Sequence, residues 1–328
     1  MTIKSSGSSL SFSEIEAEFG ANGSRSLGSY RLTQNIGSLS NLPLDSGVPT
    51  SGQIKFSDFY GKQLNVVVDC HSGGEETRKS AKNDKWNNNN LTVVGGFRSK
   101  KEGGSKIIIN VNKKFCSDKN NVNNCALRTG SWDGTATVQI DVGSSGKIYG
   151  SGGDGGSGAQ GINNGGSAGN TGTSGLGIDV NGITVNIASG GILRAGFGGG
   201  GGGGGGRQSD KNADRRASGG GGGGGAGCPP GNGGPGGNVG AGGGSGSAGT
   251  ETTGGGGGGG GNNANQAYGA SGGSGANLGG NAGGGGNSQT GGGAAGGNGA
   301  AIRRVSGFTV NINNNGSITG STSATGVS

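Results

Sequence analysis

Residues 231–249 read GNGGPGGNVGAGGGSGSAG, and glycine stands at every third position from Gly231 to Gly249. The same period runs through 152–161 and 166–175. A period of three is typical of the polyproline-II type of helix, which has three residues per turn and no internal hydrogen bonds. Because its backbone donors need partners outside the helix, glycine at every third residue indicates close packing against neighbouring helices. The pattern predicts a layered bundle of polyglycine II helices over residues 151–301.

Polar interruptions separate the glycine segments and are predicted to be the turns of the bundle. The insertion at 207–218 is long and charged, and it lies between the glycine runs 198–206 and 219–225. Exposed loops on a rigid body commonly form recognition surfaces. The candidate binding residues are therefore those of the insertion, of a stiff Cys-Pro-Pro bend and of a third turn: Arg207, Gln208, Lys211, Asn212, Arg215, Arg216, Pro229, Pro230, Asn262, Asn263, Asn265 and Tyr268.

Composition excludes a conventional core across the whole chain. Glycine accounts for 91 of 328 residues, and hydrophobic residues make up only 27 %. A disordered linker has such a composition, but linkers lack a strict triplet phase and repeated β motifs. Collagen needs abundant proline beside its glycine, and the glycine-rich region contains only Pro229, Pro230 and Pro235.

Charge and hydropathy give no sign of nucleic-acid or membrane partners. The net charge of +7 is modest for this length, and no basic stripe carries interleaved aromatic residues. No apolar stretch approaches the roughly 20 residues that span a bilayer. The N-terminal residues 1–5 lack the apolar segment of a secretion signal. We expect synthesis in a cytoplasm, no nucleic-acid binding and no membrane insertion.

The fold class is predicted as mainly β with an irregular glycine-rich region. Strand-like runs at 64–68, 91–94, 106–111 and 136–142 indicate a small β domain over 63–150. A motif of the type Thr-Val-Asn-Ile, a turn and a second short strand occurs near 137, 184 and 309. We expect these motifs to be short β-hairpin or solenoid-like pieces that flank the bundle, one at 177–196 within it and one at 302–328 that closes it.

Residues 1–62 form the remaining predicted unit. Residues 12–20 are typical of a short helix that is capped by Ser11 or Ser13 and stopped by Gly20, and residues 54–61 share its outline. Helices this short are marginal alone, so they must dock on each other or on a partner. The candidate attachment residues are apolar side chains of these two pieces: Phe12, Ile15, Phe19, Phe56, Phe59 and Tyr60.

The cysteines and the single histidine support no catalytic or metal site. A zinc site of Cys70, His71, Cys116 and Cys125 is conceivable, but the spacing matches no common finger. A disulfide between Cys116 and Cys125, which would close a polar loop, is the expected pairing if the protein reaches an oxidising environment. His71 has no evident nucleophile partner, and the carboxylates are scattered. We expect no enzymatic activity, no metal and no cofactor.

The glycine blocks with short polar loops resemble the receptor-binding adhesins at the tips of long tail fibres in T-even-like bacteriophages. In that family, stacked polyglycine helices carry loops that contact bacterial surface molecules. The resemblance covers about residues 146–301. It implies that the interruptions at 207–218, 229–230 and 262–268 are receptor contacts, and that the partner is a host surface protein or polysaccharide.

The N-terminal region is similar to a module of virion proteins from marine phages, especially cyanophages. The similarity rests on residues 11–15 (SFSEI) and 48–61 (VPTSGQIKFSDFYG). It implies attachment of the N-terminus to other tail or fibre proteins, within a homotrimer or on a trimeric fibre. The expected function is a virion adhesin for host attachment. A purely structural virion protein and, less favoured, an ice-binding protein are the alternatives.

Overall fold

The computed structural model describes residues 3–20, 26–31, 33–36, 39–43, 45, 47–70, 76–77, 79–80, 91–92, 106–119, 124–132, 134–162, 164–210, 213–263 and 267–327. The described residues are mainly β, as the sequence predicts. Within these ranges, no helix has both the length and the apolar character that a membrane crossing requires.

A small N-terminal unit begins with the predicted helix. Helix α1 spans Phe12–Phe19, and Ser11 is its N-cap. The Ser11 side chain accepts a hydrogen bond from the Glu14 backbone, and the Ser11 N–H donates to the Glu14 carboxylate at 2.8 Å. Hydrogen bonds from Lys4 and from Ser11 lower the pKa of Glu14 to about 2. The helix ends before Gly20, so the predicted cap and stop are both confirmed.

The two aromatic pieces of the sequence dock on each other. The second piece is a short 3-10 helix at Phe56–Phe59. The ring centroids of Phe12 and Phe56 lie 4.8 Å apart, and those of Phe19 and Phe59 lie 6.1 Å apart. A further 3-10 helix at Leu27–Tyr30 and an antiparallel pair complete the unit. The strands of that pair are β1 (Thr33–Ile36) and β2 (Leu39–Pro43).

Apart from two antiparallel pairs in the glycine-rich region, the remaining β structure of the described residues is a solenoid of three sheets, whose strands are parallel except for one short strand. Each coil contributes one strand to each sheet in turn. The first coil contains β3 (Asn65–Asp69), β4 (Glu76–Thr77) and β5 (Lys79–Ser80), and β6 (Leu91–Thr92) pairs antiparallel with β3. The second coil contains β7 (Lys106–Val111), β8 (Lys114–Cys116) and β9 (Cys125–Arg128).

The later coils continue the same order of sheets. The third coil contains β10 (Thr137–Val142), β11 (Lys147–Tyr149) and β12 (Ser174–Ile178). The fourth contains β13 (Ile183–Ile187), β14 (Ile192–Arg194) and β19 (Ile302–Arg304). Two antiparallel pairs lie between β14 and β19 in the sequence: β15 (Gly206–Asp210) pairs with β16 (Ala213–Ala217), and β17 (Asn262–Asn263) pairs with β18 (Ala267–Tyr268). The fifth contains β20 (Val310–Asn314), β21 (Ser317–Thr319) and β22 (Ala324–Thr325).

The repeated sequence motifs are successive coils of this solenoid, so the solenoid-like alternative is confirmed and the hairpin alternative is wrong. The two strands of each motif belong to different sheets, and the turn between them is a corner. Ile140 pairs with Val185, which pairs with Ile312, so the three motifs stack in parallel. The sheets therefore join strands from the predicted β domain, from 177–196 and from 302–328. Short parallel strands can bury an apolar row only by stacking in this way.

The solenoid core consists of the inward-facing rows of aliphatic side chains. Ile107, Ile140 and Val185 are fully buried and belong to one cluster. Trp132 packs against that cluster, and its indole N–H donates to the carbonyl of Thr129 at 2.8 Å. Trp86 and His71 lie outside the described residues.

The glycine-rich sequence is inserted at one corner of the solenoid, between the second and the third sheet. Residues 150–173 connect β11 to β12, and residues 195–301 connect β14 to β19. We call these two insertions together the glycine block. Its straight segments carry no helix or strand assignment: 151–159, 165–173, 196–205, 218–227, 231–238, 242–249, 254–261, 269–276, 283–286 and 291–299.

Backbone hydrogen bonds join these segments at intervals of three residues. The N–H groups of Ser167, Asn170 and Thr173 donate to the carbonyls of Ser157, Asp154 and Ser151, respectively. Because the acceptor number falls as the donor number rises, these two segments are antiparallel. The interval of three recurs between the other described segments of the block. Some of those pairs are antiparallel, and others, such as 218–224 with 241–247, are parallel.

Two segments lie at the centre of the block. Each N–H from 196 to 205 and from 218 to 227 donates a hydrogen bond to another part of the block. The carbonyls from 196 to 205 all accept one as well. These central segments contain most of the glycine runs 198–206 and 219–225. The outer segments 151–159, 165–173, 231–238 and 269–276 have glycine only where an added Cβ atom would lie within 3 Å of a neighbouring backbone.

The steric reason for the central runs is close backbone approach. A Cβ atom added to Gly222 would lie 2.0 Å from the carbonyl oxygen of Gly200. The outer run 254–261 differs, since a Cβ atom added to the exposed Gly259 would meet nothing within 4 Å.

We predict that Gly222→Ala and Gly259→Ala differ sharply in stability. Gly222→Ala should lower the free energy of unfolding by about 3 kcal/mol or more, because the clashing atom belongs to a buried backbone. Gly259→Ala, the matched control, should change it by less than about 1 kcal/mol. Urea unfolding followed by circular dichroism measures both values. Equal, small effects would contradict the packing described here.

Candidate functional site

The antiparallel segments give the glycine block two ends, which we call the base and the tip. The base turns are 228–230, 250–253 and 277–281, and they adjoin the solenoid. The tip consists of 160–162, β15, β16, 238–241, β17, β18 and 287–290. After each turn at the tip, one segment runs back to the base and the next segment runs out to the tip again.

The base is fastened to the second sheet of the solenoid. A disulfide joins Cys116, the last residue of β8, to Cys228 in a base turn. Lys114 forms an ion pair with Glu251 of the neighbouring base turn, and the Arg194 guanidinium donates to the Glu251 carbonyl at 3.3 Å. The Arg194 guanidinium carbon also lies 4.5 Å from the centroid of the Tyr149 ring.

The predicted disulfide between Cys116 and Cys125 is therefore wrong. Cys125 begins β9 in the third sheet and is buried there, opposite Ser174 of β12. Cys116 is in the second sheet, in a cluster with Tyr149 and Cys228. The sequence separation of the bonded pair is 112 residues, so local spacing could not indicate it.

Hydrogen bonds connect the tip turns to one another. The Ser218 hydroxyl donates to the Val239 carbonyl at 2.9 Å and accepts from the Gly161 N–H at 3.2 Å. The Arg207 N–H donates to the Gln289 side chain at 2.6 Å, and the Ser288 hydroxyl donates to the Tyr268 carbonyl at 2.7 Å. These bonds make the tip one connected surface.

Two arginines face each other across the largest element of the tip. In the β15–β16 pair, Arg207 lies opposite Arg216, and Gln208 lies opposite Arg215. Directly opposed residues lie on the same face of a strand pair. The two arginines therefore share one face of β15–β16.

An exposed aromatic residue lies beside this pair. Tyr268 of β18 is 56 % exposed, and it is the exposed large hydrophobic residue of the described chain. Both β15 and β16 contact β18. Asn262 pairs with Tyr268 across the short β17–β18 ladder, and Asn263 pairs with Ala267. The tip thus combines an aromatic ring, amide groups and guanidinium groups.

Not every predicted binding residue is at the tip. Lys211, Asn212 and Asn265 lie outside the described residues. Pro229 and Pro230 follow Cys228 at the base, at the opposite end of the block from the other candidates. They lie beside the first segment of the block, since the Pro229 carbonyl accepts from the Gly152 N–H at 2.9 Å.

The attachment candidates divide into core and surface residues. Ile15, Phe19 and Phe59 are fully buried in the core of the N-terminal unit, so they cannot contact a partner directly. Phe12 and Phe56 are half-buried and pack on each other. Tyr60 is also half-buried, and its hydroxyl donates to the Ser8 carbonyl.

Several tip residues are not among the predicted binding residues. Gln160, Asn238, Ser288 and Gln289 are exposed there, in turns that carry no charge. One signal could have found them. In a chain of antiparallel segments, alternate turns lie at the same end, so the turns at 238–241 and 287–290 accompany the charged insertion. By the same alternation, the turn at 228–230 lies at the base.

Comparison of the chain with family models, with curated proteins and with solved structures gives no match. Function is therefore inferred from the residues of the chain itself. In the part of the chain that the structure describes, no group of three or more His, Cys, Asp or Glu side chains could hold a metal ion.

We predict that peptide mapping of the oxidised protein finds Cys116 linked to Cys228. The protein is digested without reduction after exposure to air, and disulfide-linked peptides are identified by mass spectrometry. Cys228→Ser should abolish that linked species and lower the stability by about 2–4 kcal/mol. Cys125→Ala is the matched control and should leave the link intact. A Cys116–Cys125 peptide would contradict this assignment.

Proposed function

We propose that this protein is a non-enzymatic phage tail-fibre adhesin that recognises the host surface through the tip of the glycine block. One observation carries the proposal: antiparallel segments bring β15–β16, β17–β18 and the turn 287–290 to the end of the block that lies away from the solenoid junction. A connected surface at the far end of a rigid projection suits contact with a cell.

In this proposal the straight segments are polyglycine II helices in layers of three, four and three. The hydrogen-bond period of three supports that assignment, since it equals the number of residues per turn of such a helix. The central segments 196–205 and 218–227 would each have six neighbours. Their N–H groups donate toward three segments, and their carbonyls accept from three others.

The tip chemistry supports a polar or anionic receptor group. Arginine binds carboxylate and phosphate through paired N–H donors. Arg207 and Arg216 lie opposite each other in β15–β16, and strands β17 and β18, which carry Asn262 and Tyr268, contact that pair. A host protein or polysaccharide with carboxylate or phosphate groups would match this set. Aromatic and arginine residues are also the usual anchors of binding interfaces.

The N-terminal unit would attach the protein to other tail or fibre proteins. Phe12 and Phe56 are the best candidates for that contact, because they are aromatic, adjacent and only half-buried. Attachment to a trimeric fibre, or assembly as a homotrimer, fits a virion location. The protein would be made in the host cytoplasm and would reach the outside with the released particle.

The alternatives fit the tip less well. A purely structural spacer would not need opposed arginines and an exposed tyrosine at its far end. An ice-binding protein needs a flat face of small residues, and the charged β15–β16 pair projects from the block.

We predict that tip substitutions abolish binding to cells. The full-length protein, fluorescently labelled, is added to a panel of marine cyanobacterial strains, and bound protein is measured by flow cytometry. The double variant Arg207→Ala/Arg216→Ala and the single variant Tyr268→Ala should each weaken binding by tenfold or more, about 1.4 kcal/mol. Thr252→Ala, in a base turn, is the matched control and should bind like the parent protein.

Two results would contradict the proposal. Equal binding by the parent protein and the tip variants would exclude the tip as the contact. Absence of binding to every strain would favour the structural alternative, provided that the parent protein is folded by circular dichroism.

A further inference from the structure

A groove of about 480 Å³ runs along a different corner of the solenoid, between the first and the second sheet. It crosses the third, fourth and fifth coils. Its walls come from the ends of β10, β13 and β20 and from the turns that follow them. The polar lining consists of Asp141, Ser144, Asn186, Asn313 and Asn315. Its volume is in the range of small-ligand sites, about 300–1,000 Å³.

Three of these side chains form a ladder across adjacent strands. Asp141, Asn186 and Asn313 occupy the same register position on β10, β13 and β20. The amide of Asn313 donates to the side-chain oxygen of Asn186 at 2.8 Å. The amide of Asn186 in turn donates to the Asp141 carboxylate at 2.6 Å. The groups are therefore held in position before any ligand arrives.

The carboxylate at the end of this ladder is fixed from a second side. The Gln139 amide donates to both oxygens of Asp141, at 2.9 and 2.8 Å. Asp141 is 8 % exposed, yet it lines the groove. A buried carboxylate with several amide donors is a preorganised acceptor.

The lining chemistry narrows the class of ligand. Asp141 is the one charged residue among those that line the groove, all of which are described, so an anionic ligand would meet repulsion without compensation. A metal ion fits poorly, because amide N–H groups already point at the carboxylate. A hydroxyl group both donates and accepts, so it matches a surface that alternates amide donors with amide and carboxylate acceptors.

We infer that this groove binds a neutral saccharide chain, at a site distinct from the tip. Each side-chain amide has two N–H groups, and the ladder uses one from Asn186 and one from Asn313. The second N–H of each amide, the Asn313 oxygen and the Asn315 side chain supply further donors and acceptors to sugar hydroxyls. Because strands in a sheet are spaced by about 4.8 Å, the ladder offers these groups at regular intervals along an extended ligand.

The test is binding of the full-length protein to a microarray of neutral bacterial and algal oligosaccharides. The parent protein should bind at least one neutral glycan. Ser144→Trp places an indole in the groove and should weaken that binding by tenfold or more. Ser145→Trp is the matched control, since Ser145 is exposed on the same turn but does not line the groove.

The same array separates this site from the tip. The variants Arg207→Ala/Arg216→Ala and Tyr268→Ala should retain neutral-glycan binding, whatever their effect on cells. Failure of the parent protein to bind any neutral glycan would overturn the inference. So would equal binding by the Ser144→Trp and Ser145→Trp variants, or loss of glycan binding in the tip variants alone. Each variant is first shown to have the same thermal unfolding temperature as the parent protein.

Discussion

Backbone hydrogen bonding between neighbouring segments is the constraint on which the glycine block depends. Glycine has no side chain to bury, and it loses more conformational freedom on ordering than any other residue. A segment without internal helix or strand hydrogen bonds cannot satisfy its own donors. The central segments satisfy theirs by contact with several neighbours at once. That contact requires glycine, because the added Cβ of Gly222 would lie within 2.0 Å of a neighbouring carbonyl oxygen.

The solenoid places the first segments of the block next to each other. Its coils are spaced by the distance between strands, about 4.8 Å. The connections β11–β12 and β14–β19 leave the same corner on consecutive coils, so their first segments begin side by side. The solenoid itself has a conventional apolar core. The block has only a small apolar cluster around Phe197 and Ala226 in its described residues. The disulfide from Cys116 to Cys228 and the ion pair of Lys114 with Glu251 then hold two base turns against it.

Local features of the fold could be predicted from the sequence, because short-range physics decides them. The cap of α1 at Ser11, strands β7 and β10, and the turns within the glycine block follow from side-chain type and spacing. Stacking of the repeated motifs as solenoid coils could not be distinguished from hairpins, since both need the same alternation of apolar residues. Whether two strands pair in parallel or antiparallel is decided by contacts between distant parts of the chain.

The candidate site could also be predicted only in its local features. The charged insertion marked the tip, and Arg207, Arg216, Asn262 and Tyr268 lie there. Whether another turn lies at the tip depends on the number of segments between that turn and the charged insertion. Composition does not reveal this number. Pro229 and Pro230 lie at the base for this reason. The partner of Cys116 was equally hidden, because it becomes a neighbour only after the fourth segment of the block returns to the solenoid.

Amide hydrogen exchange of the full-length protein, resolved by NMR or by fragmentation mass spectrometry, tests the central claim most directly. Every amide from 196 to 205 and from 218 to 227 donates a hydrogen bond inside the block. We predict that these amides exchange as slowly as those of strands β10 and β13, over hours or longer. Exchange of these amides within seconds, at the rate of an unstructured chain, would contradict the account.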